Sequence, residues 1–260
     1  MKIIDTHTHL NASEFNQDLE AVIARAKESG VVRVFNNGDS LPSFSAILDL
    51  KKRYPSFCEA VLGIHPEFAA SPSDYLEEAL KEIENHKDEI RAIGEIGLDY
   101  HYDKSEETKS KQKDLFIKQI RLAKELSLPI VIHSRDADYD TYQIIKEERP
   151  DKIDLHCYSG SYELYKEYKK LPTRTCFGIG GVVTFKNARV IKEVVSNGDI
   201  ADFLTETDAP YLTPTPYRGK RNEPSYLPLV IEAISQLKGY EVERTSEILF
   251  DNGVRFYGIE

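Results

Sequence analysis

The chain is poor in cysteine, carries fewer basic than acidic residues and has no long apolar run. Cys58, Cys157 and Cys176 are scattered through 260 residues without a CxxC pair, which argues against a disulfide framework or a thiolate zinc site and for a reducing compartment. The cytoplasm is the expected location. Lys and Arg number 34 against 44 Asp and Glu, a formal net charge of −10; the surface as a whole repels polyanions, and any site for one must be local. No apolar stretch reaches the roughly 18 residues of a membrane span, and the first ten residues lack a signal-peptide core. A soluble, unexported protein is expected. The turn after the first apolar run reads His7-Thr8-His9-Leu10-Asn11 rather than GxGxxG, so a dinucleotide-binding doubly wound sheet is disfavoured. Walker A, GxSxG and HExxH motifs are missing as well.

Hydrophobic residues make up 40% and charged residues 30%, enough apolar material for a sizeable core. Short β-branched runs alternate with longer amphipathic ones. The runs predict strands at Lys2–Thr8, Val31–Asn36, Cys58–Ile64, Ile90–Ile96, Leu128–His133, Lys152–His156, Arg174–Gly180 and Asp202–Thr207. Helices are predicted at Asp18–Ser29, Phe44–Tyr54, Ser73–His86, Glu107–Leu126, Tyr139–Glu148, Tyr162–Lys170 and Asn187–Val195, with two more near Ser225–Leu237 and Glu241–Gly253. Eight β/α repeats in this length predict an α/β fold of the (β/α)8 TIM-barrel type, a single domain over 1–260.

Barrel active sites form at the C-terminal ends of the strands, and here polar residues recur at that address. His7 and His9 end the first strand, His65 follows the third, Glu95 ends the fourth, His133 the fifth, His156 the sixth and Asp208 the eighth. Residues i and i+2 of a strand share a face, so His7 and His9 can put two imidazoles on one cation; hydrogen-bonded core histidines are the plain alternative. Glu95, between apolar and glycine residues, needs a cation, either a basic side chain or one or two metals. Asp208, just before Pro210, is the candidate general base. Glu206 is expected to orient a ligand or to form a buried salt bridge, and Cys157 to be a structural thiol pointing away from the site.

Five segments are similar to the TatD-type metal-dependent deoxyribonucleases: Asp5-Thr6-His7-Thr8-His9-Leu10, Gly94-Glu95-Ile96-Gly97-Leu98-Asp99-Tyr100, Ile132-His133-Ser134-Arg135-Asp136-Ala137, His156-Cys157-Tyr158-Ser159-Gly160 and Glu206-Thr207-Asp208-Ala209-Pro210. The resemblance extends through Thr184–Ala188 and Arg218–Pro224; Ser246-Glu247-Ile248-Leu249-Phe250 departs from the family's usual pattern. It implies a TIM barrel with one divalent ion held by His7, His9, Glu95 and Asp208 and a second by Glu95, His133 and His156. Glu95 would bridge them.

Two such ions, whether Mg2+, Mn2+ or Zn2+, suit phosphodiester hydrolysis by an activated water with Asp208 as proton acceptor. Arg135, Lys186, Arg218, Lys220 and Arg221 follow the fifth, seventh and eighth strands, where barrels commonly bind phosphate, and His65 is a further candidate for substrate contact. Tyr100, Tyr102, Tyr158, Tyr211 and Tyr217 fall in the same loops, and aromatic faces beside cations suit unpaired bases. The expected substrate is single-stranded DNA attacked from an end, with no membrane and no protein partner indicated. A small-molecule amidohydrolase or lactonase with the same two-metal centre is the alternative; a glutamate at position 95, where many such enzymes carry a carboxylated lysine, and the basic segment Arg218–Arg221 favour the nuclease.

Overall fold

Isoleucine and valine dominate the extended runs, where a branched side chain suits a pleated, buried surface. In the computed structural model, which describes residues 1–259, they form β1 (Ile3–Thr8), β2 (Val31–Asn37), β3 (Cys58–Leu62), β4 (Ile90–Asp99), β5 (Ile130–Arg135), β6 (Lys152–Leu155), β7 (Arg174–Ile179) and β8 (Phe203–Thr205). Between them run α1 (Leu19–Glu28), α2 (Leu41–Arg53), α3 (Ser73–Asn85), α4 (Glu106–Leu126), α5 (Asp138–Glu148), α6 (Tyr162–Tyr168) and α7 (Arg189–Asn197), and α8 (Leu227–Lys238) and α9 (Val242–Tyr257) follow β8. Successive strands pair in parallel in the order β1 to β8. This is the expected (β/α)8 barrel.

The seam between β8 and β1 closes by a different chemistry. A single bridge joins Thr8 to Ala209, flanked by His9 N donating to Ala209 O at 2.8 Å and Asp208 N to His7 O at 2.9 Å. Below it hydroxyls replace the ladder: Thr6 Oγ1 donates to Thr205 O (3.2 Å), Thr205 Oγ1 to Ile4 O (2.9 Å) and Thr207 Oγ1 to the Asp5 carboxylate (2.7 Å). The same seam thereby sets His7 and His9 beside Asp208.

Apolar residues fall into two groups. The larger lies between the strands and the helices; the smaller, Ile4, Phe35, Val61, Ala92, Val131, Cys176 and Leu204, fills the barrel interior. Phe256, Tyr257 and Ile259 close that interior, and the Tyr257 hydroxyl donates to Asp154 at 2.9 Å. α9 sits at the N-terminal end of the strands, since Ser246 bonds Lys2 O and Arg174 bonds Arg255 O. The opposite end is left to the chemistry. No helix among the described residues is long and apolar enough to cross a membrane.

Some limits differ from the sequence expectation, and three bear on the site. β4 continues past Ile96 because β5 pairs with it as far as Asp99↔Arg135. Gly97 allows that approach, for at φ 141° a Cβ would lie 2.0 Å from His133 O. β6 stops at Leu155 and β8 at Thr205, so His156 and Asp208 stand just beyond their strands. Cys157 and Asp208 have φ of 45° and 57°, the left-handed region that turns the chain out of a ladder. α9 also runs beyond Gly253 to Tyr257, because the aromatic pair at its end finds the open barrel base.

Candidate metal centre

The end of β1 brings two imidazoles together, with His7 Nε2 and His9 Nε2 3.2 Å apart. Glu95 Oε2 is 3.3 Å from His7 Nε2 and 3.8 Å from His9 Nε2. Asp208 Oδ1 is 3.4 Å from His9 Nε2 and 3.9 Å from His7 Nε2. Bonds of about 2.0–2.2 Å in a tetrahedral site place ligand atoms roughly 3.3–3.6 Å apart; His7, His9 and Glu95 form a group that could hold one divalent cation, and Asp208 Oδ1 stands beside its His9 edge. The other Glu95 oxygen, Oε1, lies 2.8 Å from His133 Nδ1 and 3.7 Å from His156 Nε2. One carboxylate thus faces His7 and His9 with one oxygen and His133 and His156 with the other, as a bridging group must, while His156 Nε2 also lies 3.8 Å from Asp208 Oδ1.

Three of the four imidazoles are gripped on their far side. His9 Nδ1 lies 2.9 Å from Asn37 O, an oxygen that can only accept, so Nδ1 carries the proton and Nε2 keeps its lone pair for a cation. His156 Nδ1 is 3.1 Å from Glu206 Oε2 and His133 Nε2 is 3.1 Å from Asp99 Oδ2. Such partners fix ring orientation and raise ligand basicity. Glu206 also lies in a close group with His7 and His156, but it addresses the far nitrogen of His156 and so orients that ring. His7 Nδ1 has no partner, and its ring stacks on His156 at 3.4 Å.

Asp99 and Asn37 are the residues that sequence reasoning missed. Asp99 shares strand parity with Glu95, a signal that the longer β4 makes readable. The Asn37 contribution is a backbone carbonyl, for which no side-chain signal exists. His65 stands edge-on to the His133 ring at 4.5 Å, close to Glu95 and His133; its Nδ1 accepts Glu67 N at 3.3 Å.

Burial works against charge at every one of these groups, and the outcome differs by neighbour. Burial raises Glu95, but the His7 and His156 rings and a hydrogen bond from His133 outweigh it and hold the carboxyl well below its usual range. Asp208 is likewise lowered, with its bond to His9 and the charges of His156 and His7 overcoming burial. Desolvation opposes charge on His133 and His156, yet the carboxylates prevail: Asp99 and Glu95 bring His133 to about 9, and Glu206 and Glu95 bring His156 to about 10. Burial pushes His65 down to about 4, so it is a neutral imidazole. A metal-free centre therefore holds protons that a cation must displace.

Cys157 lies closer to this centre than expected, because β6 ends before it. Its backbone N donates to Glu206 Oε1 at 2.6 Å. Burial and the carboxylates of Glu206, Asp208 and Glu95 push its thiol far up, which leaves it without thiolate character.

Around the mouth the basic residues separate into two kinds. Arg221 is held by Asp18 in a two-bond pair at 2.7 and 2.8 Å. Lys186, Arg218 and Lys220 are exposed and have no ion pair among the described residues, Arg218 lying over the Phe185 ring at 3.7 Å and Lys220 over Tyr217 at 5.4 Å. Arg135 lies over the exposed Tyr102 at 5.3 Å. Tyr211 is exposed, with its ring 6.3 Å from that of His9. Tyr217 is partly open and stacks on Tyr226. Tyr100 and Tyr158 are buried, their hydroxyls engaged by Asp140 and Ser161 O.

Comparison with known proteins points the same way. A family model described as TatD related DNase matches residues 4–258. The chain is 43% identical over 259 residues to the uncharacterized metal-dependent hydrolase YabD of Bacillus subtilis, covering 99% of each. It is 31% identical to the human deoxyribonuclease TATDN3, covering 98% of this chain and 94% of the other. The crystal structure of the TatD homolog YjjV of Escherichia coli superposes with a TM-score of 0.90 at 27% identity, covering 99% of this chain and 98% of that one. With a barrel of this topology and a histidine–carboxylate centre at its mouth, the chain belongs to the TatD family of metal-dependent hydrolases.

Proposed function

We propose that the chain is a deoxyribonuclease that acts as one domain, hydrolysing phosphodiester bonds of single-stranded DNA from an end. The carrying observation is Glu95, whose Oε2 faces His7 and His9 and whose Oε1 faces His133 and His156. A human relative named as a deoxyribonuclease supports the substrate. The three cysteines are free, which suits a cytoplasmic location.

His7, His9, Glu95 and Asp208 would hold one divalent ion, and Glu95, His133 and His156 the other. When bound, the two ions supply a lowered water pKa and positive charge against the phosphate oxygens. The Asp208 carboxylate, kept ionised by His9, His156 and His7, stands at the mouth to accept the proton of the attacking water. Asp99 and Glu206 keep His133 and His156 in register. Lys186, Arg218 and Lys220, without ion pairs among the described residues, bind phosphates on either side of the reacting one; Arg135 and the neutral His65 add to that wall, while Arg221, paired with Asp18, braces the loop that carries it. Tyr102 and Tyr211 offer exposed rings to unpaired bases, a contact worth about 1–3 kcal/mol per base.

The test follows cleavage of end-labelled single-stranded DNA by metal-stripped protein resupplied with magnesium, manganese or zinc, with Asp208→Asn and a panel of amides and lactones in parallel. The expected result is a ladder shortening from one end, dependent on metal and reduced by at least about a hundredfold in the variant. Intact DNA under every metal, together with turnover of an amide or lactone, would replace this reading with the amidohydrolase one. Rapid cutting of circular single strands would overturn attack from an end.

A further inference from the structure

Beside the metal centre, the loops after β6 and β7 and the start of α7 enclose a pocket of about 180 Å³. Its walls are largely apolar, formed by Tyr158, Val182, Ala188, Val190 and Ile191, with Asn187 and Arg189 on its border. Tyr158 is fixed in place, since its hydroxyl donates to Ser161 O at 3.0 Å and its ring packs on Phe177 at 4.8 Å. The Asn187 and Arg189 side chains are exposed and have no partners among the described residues. Val190 is 48% exposed, an aliphatic surface left open beside unused polar groups.

The pocket borders residues that support the metal centre. Cys157, which lines it, follows His156 and donates its N–H to Glu206. Gly178 on β7 and Gly180 just beyond it line the pocket and lie against the same Glu206 side chain. Cys157 and Glu206 link its lining to His156.

Three ligand chemistries can be weighed against this lining. A bare phosphate would leave the apolar walls unused, and an aliphatic chain would leave Asn187 and Arg189 unused. A heterocyclic base carried on a sugar phosphate uses both, with its ring edge facing the asparagine amide, its faces the apolar walls and its phosphate the guanidinium. The volume is enough for one base.

We propose that this pocket binds the nucleobase of the nucleotide adjoining the scissile phosphate. The inference deepens the nuclease reading and rests on it. It assigns base contact to the β6–β7 side of the mouth, whereas the exposed Tyr102 and Tyr211 belong to the loops after β4 and β8.

Equilibrium binding keeps the two claims apart. Thymidine 5′-monophosphate and 2-deoxyribose 5-phosphate would be titrated into the magnesium-loaded enzyme by calorimetry. The base should tighten binding at least about tenfold. Ala188→Phe, which fills the pocket, and the uncharged Val190→Asn, at an exposed position that does not threaten folding, should each bring the nucleotide down to the sugar phosphate's affinity while leaving the latter unchanged. Equal affinities in the unaltered protein, or a base effect undiminished in Val190→Asn, would overturn the pocket assignment whether or not DNA is cleaved. A base effect that the variants abolish, in an enzyme that cleaves no DNA under any metal, would uphold the pocket and sink the nuclease reading.

Discussion

Glu206 occupies the space that a side chain at Gly178 would need: a Cβ at 178 would lie 2.2 Å from Glu206 Oε2. That oxygen also holds His156 Nδ1, at 3.1 Å. A glycine on β7 is therefore a condition for the aim of an imidazole on β6. Gly178→Ala should displace the glutamate and weaken binding of the second cation by about 10–100-fold, with the first site much less affected. Stepwise metal titration by calorimetry reads this directly; unchanged affinity for the second ion would show that His156 needs no such support.

The proton load of the centre gives a pH dependence with a definite sign. His133 and His156 titrate near 9 and 10 in the folded, metal-free protein against about 6.5 unfolded. The folded state binds their protons more tightly, so their stabilisation is complete below about pH 6.5 and is lost as pH rises through 9 and 10. Melting temperature of the stripped protein should fall from pH 7 to pH 10, by about 2–4 °C for each kcal/mol lost at this size. Metal-loaded protein, with those nitrogens deprotonated throughout, should show a much smaller fall. Burial pushes Asp5 up to about 8, and its ionisation cost, growing from about pH 4 to 8, should remain in both forms. Parallel curves for stripped and loaded protein would refute the assignment.

Much of this centre was legible in the sequence because the ligands are chemically conspicuous: an imidazole or carboxylate ending a run of isoleucine, valine or leucine has few other uses. His133 and His156 declare themselves that way, His7 and His9 by sharing one strand face, and Glu95 and Asp208 as carboxylates at strand ends; the barrel order follows from the spacing of their strands. What stayed hidden depends on partners remote in the chain. Asp99 belongs to the site only because Gly97 lets β4 continue alongside β5. Asn37 acts through its backbone. Arg221 reads as a free cation until α1 brings Asp18 to it, and the aromatic end of α9 has no visible purpose until the barrel base is built.

The division among the basic residues can be measured by salt dependence. Replacing Lys186, Arg218 and Lys220 together by glutamine should raise KM for single-stranded DNA and flatten its rise with ionic strength, since each phosphate contact adds about 0.7 to the logarithmic slope. Hydrolysis of a small uncharged ester should be unchanged. Arg221→Met should leave the salt slope nearly intact, because that guanidinium is already spent on Asp18; its mark should be faster amide exchange in the segment between β8 and α8. An unaltered slope in the triple variant would remove these cations from the substrate path.

The seam between β1 and β8 has a consequence for how the protein is made. Thr6 finds Thr205, and Asp5 finds Thr207, only when chain segments about 200 residues apart in sequence meet. Closure of this kind is slow relative to local helix formation. During synthesis at about 5–20 residues per second, His7 and His9 emerge early and wait many seconds for Asp208, while the edge of β1 stays unpaired and the interior awaits Phe256 and Tyr257. A nascent chain short of Asp208 can present only part of the first cation site, so a complete set of its ligands marks the meeting of β1 with the end of β8.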